Sequence, residues 1–376
     1  MMDEVVRVKK EKQERDSNME LLRIISILMI ILYHVCRHGK WTNLALYTPD
    51  SFILNCLTFG GKVGVTCFVL ISGYYLILSE KSNYIKIVKL WISVLFYSVV
   101  ISLFFFIEYD YPYDSLTIFK MITPIMNETW WFMSAFIILM IISPLLNKIA
   151  HSIDKRTYLS MIMIFTILWF IVPTITGSTT YGLNNVLQFS YLYLIAGFIR
   201  LYPESFGKRT FLYCGIFIVS LATTCGSYYV LEHINSNDPL IFTLTANYMR
   251  FVLGYSVTVL LMSLSLFLLL NNTKHFSCKP INILASATLG VYLIHEQPYV
   301  RDVIYNDFFH CTEHFGSPDM VPYCLFVMIG IYCICVPIEL ARLYLLEKPF
   351  MKIITPHLEN IHRKYLSFVV CLSEKI

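Results

Sequence analysis

The chain has 376 residues, of which 57% are hydrophobic and 14% charged, with a formal net charge of +4; its mean hydropathy is +0.62. A water-soluble domain of this size is about 25% charged, so the composition excludes an ordinary soluble enzyme. The small net charge gives no footing for nucleic-acid binding. Repeated apolar runs of about twenty residues instead indicate an all-α, polytopic membrane helix bundle. The runs lack the period-two alternation that barrel strands require.

The first 18 residues are polar and basic (Arg7, Lys9, Lys10, Lys12, Arg15) and precede an apolar run. No small-residue cleavage site follows, so the first helix is expected to be retained. Ten spans are predicted, at 19–37, 59–79, 87–107, 130–149, 158–174, 185–202, 210–231, 248–271, 283–306 and 321–346. They form one membrane domain over 19–346, between a basic segment at 1–18 and a tail at 347–376. The stretch "YLSFVVCL" in that tail is too short to cross a bilayer.

Lys and Arg set the orientation, because they accumulate on the cytoplasmic side. With both termini cytoplasmic, the ends and the even-to-odd loops collect 23 of the 29 basic residues. Only Arg37, Lys40, Lys62, Lys120, Arg250 and Arg301 fall in the outer half. Most of the 11 cysteines lie inside apolar runs, where the thiol serves as a small apolar side chain. The predicted outer loops leave a Cys56–Cys311 bridge open, and no cysteine pair has zinc or redox spacing.

The first helix carries the most informative pattern, "ELLRIISILMIILYH". Arg23 and His34 are eleven positions apart, so they differ by only about 20° in direction and stand about 16 Å apart along the axis. Glu20 lies within about 40° of the same stripe. A charge in the bilayer must face protein or water, so this stripe should face the bundle interior. Arg23 alone would pass for a snorkelling anchor, and His34 alone for a helix-packing hydrogen bonder. His34 and His38 share the i, i+4 spacing of metal ligands, but no third ligand stands nearby, and no metal is expected.

A second intramembrane imidazole, His295 in "LGVYLIHEQPYVRD", falls at a depth similar to His34. Pro298 weakens its helix just beyond and frees backbone groups that can line a cavity. On a continuous helix Glu296 would point about 100° away from His295. In the second span, "FVLISGYYL" sets Ser72 and Gly73 in a bulky run, a sign of close helix packing or of a groove beside a substrate. Lys86 and Lys89 share one helix face, either a solvated basic surface or a phosphate-binding patch.

Taken in order, "ELLRIISILMIILYH", "FVLISGYYL", "TWWFMSAFIILMIISPLL", "LGVYLIHE" and "LEKPF" resemble the acyltransferase 3 family of integral membrane O-acyltransferases that modify surface polysaccharides. Two departures stand out: Glu20 where the family commonly has aspartate, and Lys86 and Lys89 where it has arginine. The resemblance implies a bacterial cell-membrane enzyme taking an acetyl group from acetyl-CoA, with no permanently bound cofactor. The acceptor would be a hydroxyl of a glycan or lipid-linked glycan, met among membrane lipid. It implies His34 as the catalytic histidine, by direct proton abstraction or through an acyl intermediate. His295 would orient the acceptor or stabilise the oxyanion. Substrate contacts would fall to Glu20, Arg23, Ser72, Lys86, Lys89, Trp131 and Glu296, with Arg23 suited to the CoA phosphates. A transporter or flippase for a lipid-linked sugar is the alternative, since it too needs polar residues in a membrane cavity.

Overall fold

The computed structural model describes residues 15–39, 48–79, 84–111, 113–177, 182–233, 251–314 and 316–373. Among them every regular element is helical. Most of the basic segment at 1–18, Lys81 of the inner loops and the outer loop at 232–247 except its first residues lie outside the described residues, so expectations for them stay with the sequence.

The first helix, α1 (Ser17–His38), begins where the Asp16 side chain accepts the Asn18 N–H and caps it. Its first turn is pinned by polar contacts: Ser17 Oγ donates to Asn282 Oδ1 at 2.8 Å, and Asn18 Nδ2 donates to the Lys274 carbonyl at 3.2 Å. The helix α2 (Pro49–Thr58) opens with a Thr48–Ser51 capping box and runs, with only Phe59 between, into α3 (Gly60–Leu76). Then follow α4 (Tyr84–Glu108), α5 (Ser115–Ile122) and α6 (Trp131–Ser152). Next, α7 (Lys155–Thr166) passes through a π-helical turn, Ile167–Ile171, into α8 (Val172–Thr176). After α9 (Asn185–Leu201), α10 (Thr210–His233) and α11 (Val257–Asn271) come three short helices, α12 (Lys279–Ser286), α13 (Thr288–His295) and α14 (Pro298–Val303). The chain ends in α15 (Met320–Ala341), a π-helical turn Arg342–Glu347, and α16 (Lys348–Ser373).

Among the described residues, seven helical stretches are long and apolar enough to cross a membrane, and Asn185–Leu201 and Val257–Asn271 are shorter apolar helices. Large side chains on their outer faces, such as Phe211, Ile107 and Leu145, are exposed, as a lipid-facing surface requires. One expectation changes. The span at 283–306 is not one helix: it breaks at Ala287 and again at Glu296–Gln297. Position 346 falls within the π-helical turn Arg342–Glu347, through which α15 runs on into α16.

The helix α1 is the hub, packing against α2, α3, α11, α12, α13 and α15. Its closest neighbour, α3, approaches through glycines. A Cβ on Gly64 would fall 2.5 Å from the Ser26 carbonyl oxygen, and one on Gly61 2.5 Å from the Tyr33 ring. One core cluster fills the space among α3, α6, α9 and α11 (Leu70, Leu139, Tyr193, Phe267). The other fills that among α1, α6, α13 and α15 (Ile31, Met133, Leu293, Ile331). The site lies between them.

Candidate active site

The interior stripe of α1 opens onto a cavity of about 810 Å³ that reaches from Arg15 and Arg23 to His34, His38 and Glu296. Arg23 and His38 are fifteen residues apart, so the cavity follows α1 for about 22 Å. Its middle is apolar, lined by Ile27, Ile30, Phe68, Leu90 and Leu289. At the Arg23 end it meets a second cavity of about 990 Å³, and both are lined by Arg15, Arg23, Ser72 and Lys89.

The sequence "HEQP" builds the other end. Proline at the first position of α14 pushes Gln297 into extended backbone, φ −62°, ψ 131°. The Gln297 side chain then caps α14 by accepting from the N–H groups of Tyr299 and Val300. With α13 ending at His295, Glu296 leaves the helical register and turns toward α1.

Three polar side chains consequently converge. His34 Nδ1 is 3.0 Å from His295 Nε2, and His295 Nδ1 is 2.5 Å from the Val291 carbonyl oxygen. A carbonyl only accepts, so His295 Nδ1 carries its proton, and in the neutral ring Nε2 is an acceptor. His34 Nδ1–H must therefore donate to it, which leaves His34 Nε2 with a lone pair. Glu296 Oε2 stands 3.2 Å from the same His34 Nδ1, a charge contact rather than an aligned hydrogen bond. The carboxylate is held from its other oxygen by Arg301 at 3.3 Å. His295 is fully buried, with both nitrogens engaged; its ring faces His34 and has no nitrogen free for an acceptor molecule.

His38 Nε2 lies 3.7 Å from Glu296 Oε2. His34, His38 and Glu296 thus present three donor atoms within 4.8 Å of one another, a set that could hold a metal ion. The sequence shows His34 and His38 without a third ligand; the fold supplies it. For a metal to use His34 Nδ1, that nitrogen would have to give up its proton and its bond to His295. Nε2 keeps its lone pair, so it could serve either as a base or as a ligand.

The Arg23 end is polar and mostly basic. Arg23 pairs with Glu20 at 2.9 Å. Arg15, Lys279 and Lys348 line the cavity mouth. Lys89 pairs with Glu347 at 2.8 Å, and exposed Lys86 lines the second cavity. Beneath them lies a buried ion cluster on the π-helical turn: Arg342 binds Glu339 through two bonds of 2.7 and 2.8 Å and Glu347 through one of 2.7 Å. Tyr97 and Ser93 donate to these carboxylates at 2.5 and 3.1 Å. The cluster fixes the floor of the basic end.

The fold therefore brings His34, Arg23, Ser72, Lys89, Trp131 and Glu296 to one cavity wall. Ser72 Oγ donates to the Phe68 carbonyl at 2.8 Å. Glu20 and Lys86 border the adjoining cavity, and His295 stands behind His34. Sequence reasoning missed the buried Glu339–Arg342–Glu347 cluster. Its signal was present in "PIELARLYLLE", where ionisable residues three and five apart interrupt an apolar run. Lys62, in the first turn of α3 and on the cavity wall, enters the sequence reading only through its charge. Cys56 and Cys311 form no disulfide.

The family model described as an acyltransferase domain (acyltransferase 3) matches residues 16–340, which include the histidine pair, Glu296, Arg23, Lys89 and Lys279. No curated protein and no solved structure matches the chain. With this domain covering most of its length and a histidine poised inside a bundle of apolar helices, the chain belongs to the acyltransferase 3 family.

Proposed function

We propose that this multi-pass membrane acyltransferase carries an acetyl group from acetyl-CoA to a hydroxyl of a surface polysaccharide or its lipid-linked precursor, in a bacterial cell membrane, with both termini cytoplasmic. The observation that carries this reading is the single cavity joining a basic mouth to the free Nε2 of His34. Coenzyme A is itself divided in this way. Its phosphates suit Arg15, Arg23, Lys279 and Lys348, its pantetheine arm suits the apolar midsection, and its thioester would end near His34.

In this reading His34 Nε2 takes the proton from the acceptor hydroxyl as its oxygen attacks the thioester carbonyl. The resulting imidazolium keeps its Nδ1–H bond to His295 and gains the neighbouring Glu296 carboxylate as counter-charge. When the C–S bond breaks, the CoA thiolate recovers the proton from His34. His295 and Glu296 act as positioning residues, holding the tautomer and the charge without touching the substrate. No metal enters the sequence of steps.

The test is transfer of radiolabelled acetyl from acetyl-CoA to glycan in native membranes carrying the wild type or His34→Ala. Loss of label in the variant is expected. Undiminished labelling at equal expression overturns the mechanism. Movement of a lipid-linked sugar without covalent acetylation would instead favour a carrier.

A further inference from the structure

The mechanism needs a group to receive the negative charge that develops on the thioester oxygen. The lining supplies several cations, but most are committed or remote. Arg23 is paired with Glu20 and Lys89 with Glu347. Arg15, Lys279 and Lys348 stand at the mouth. His38 faces Glu296. His295 has no free nitrogen.

Lys62 is different. It lies half-buried in the first turn of α3, inside the apolar Pro49–Leu76 stretch, where an ammonium group drawn from water is expensive unless something uses it. Its predecessor Gly61 abuts Tyr33, the neighbour of His34, so Lys62 enters the cavity level with the imidazole. Its Nζ stands 4.5 Å from the centroid of the Trp131 ring, a cation–π contact that steers the ammonium without neutralising it. Among the described residues no carboxylate forms an ion pair with it. Trp131 is in turn held edge-on or tilted against Phe132 and Phe189, so the platform under the ammonium is fixed.

We infer that Lys62, braced on Trp131, is a catalytic residue that stabilises the oxyanion of the acyl-transfer intermediate; this rests on the acyltransferase reading above. The hydroxyl oxygen forms a bond to the carbonyl carbon, and its proton passes to His34 Nε2. The carbonyl π pair moves onto the oxygen facing Lys62. Collapse of that oxyanion expels the thiolate, which takes the proton back from His34. The ammonium keeps its charge and its protons throughout. A preorganised cation in a water-poor site acts most strongly where charge appears only during reaction.

The experiment compares full-length wild type, Lys62→Met and Lys62→Arg in native membranes, with radiolabelled acetyl-CoA varied at saturating glycan. Removing one oxyanion donor lowers kcat about 10²–10³-fold, so Lys62→Met should lose that much with the acetyl-CoA KM nearly unchanged. Lys62→Arg should recover at least about a tenth of the activity, since a guanidinium still offers charge and N–H donors. S-ethyl-CoA, which has no carbonyl, should bind wild type and Lys62→Met equally. A kcat for Lys62→Met close to wild type, a loss confined to KM, Lys62→Arg no better than Lys62→Met, or failure of Lys62→Met to bind S-ethyl-CoA would each overturn the assignment. Absence of acetyl transfer by the wild type would overturn the acyltransferase reading itself, a result distinct from any of these.

Discussion

His34 Nδ1 stands 3.0 Å from His295 Nε2, and the bond between them can run in one direction only. The other nitrogen of His295 already donates to the carbonyl of Val291, one turn earlier in its own helix. A main-chain atom of α13 thereby fixes which nitrogen of a side chain on α1 carries the lone pair. His295→Ala should lower kcat about 10²-fold or more while leaving the acetyl-CoA KM in place, because a base in the wrong tautomer binds substrate but does not activate it. His295→Gln, whose Oε1 can accept from His34, should restore part of the loss. Steady-state kinetics in membranes at matched expression checks both. Equal defects in the two variants would contradict the tautomer argument.

Much of this arrangement is legible in the sequence, and the limit has a physical cause. The stripe of Glu20, Arg23 and His34 follows from helical geometry, and the fold places Arg23 and His34 on one cavity as that geometry demands. Their partner was not legible. Read as one continuous helix, residues 283–306 send Glu296 about 100° away from His295. Only the break before Pro298, with Gln297 capping the next helix, turns the carboxylate to within 3.2 Å of His34. Lys62 and the Glu339–Arg342–Glu347 cluster escaped for a related reason. Charge counting assigns basic residues to loops, whereas the fold buries Arg342 and sets Lys62 on the cavity wall.

The basic mouth predicts a donor-binding defect separable from chemistry. Arg15 and Lys279 line the cavity but take no part in the site around His34. Reversing either charge (Arg15→Glu or Lys279→Glu) should raise the acetyl-CoA KM about tenfold, the scale of one charge-assisted hydrogen bond, with kcat preserved. Added salt should raise the wild-type KM and flatten the difference, because these charges are open to solvent and are screened. Titration of acetyl-CoA at two ionic strengths reads both effects. A fall in kcat without a change in KM would place the CoA phosphates elsewhere.

The cluster of His34, His38 and Glu296 makes metal dependence worth measuring directly, since its donor atoms lie within 4.8 Å of one another. The mechanism proposed above uses His34 Nε2 as a base and calls on no metal. Incubation with EDTA followed by assay in metal-depleted buffer should leave the transfer rate unchanged. Loss of activity under EDTA, restored by zinc, would convert His34 from base to ligand.

The buried ion cluster beneath the mouth should matter to stability. Arg342 is the common partner of Glu339 and Glu347, and all three are buried. Arg342→Met leaves Glu339 without a cation and Glu347 with Lys89 alone, and removing one partner of a buried pair typically destabilises by about 3–5 kcal/mol. The shift should be read from unfolding midpoints of purified protein in detergent. The triple variant Glu339→Gln, Arg342→Met, Glu347→Gln should be less destabilised than Arg342→Met alone, because it leaves no buried carboxylate unpaired and frees only the half-exposed Lys89. A triple variant worse than the single would show that the cluster contributes more than charge balance.

The position of the catalytic stripe depends on how closely α3 approaches α1. The obstacle to a methyl group at Gly64 is the Ser26 carbonyl oxygen, a main-chain atom that cannot rotate aside as a side chain would. Gly64→Ala should therefore force the helices apart and destabilise by about 1–3 kcal/mol, the usual penalty of overpacking. It should also reduce transfer, because His34 rides on the helix that moves. Gly215 in α10 offers the matched control, since a Cβ there meets nothing within 4 Å. Gly215→Ala should be neutral or stabilising by about 0.4–1 kcal/mol through the lost freedom of the unfolded chain. Thermal unfolding of both variants in detergent, with transfer assayed in parallel, separates the two. Similar behaviour of Gly64→Ala and Gly215→Ala would mean that the α1–α3 contact has slack, and that the alignment of His34 with His295 is set from the α13 side alone.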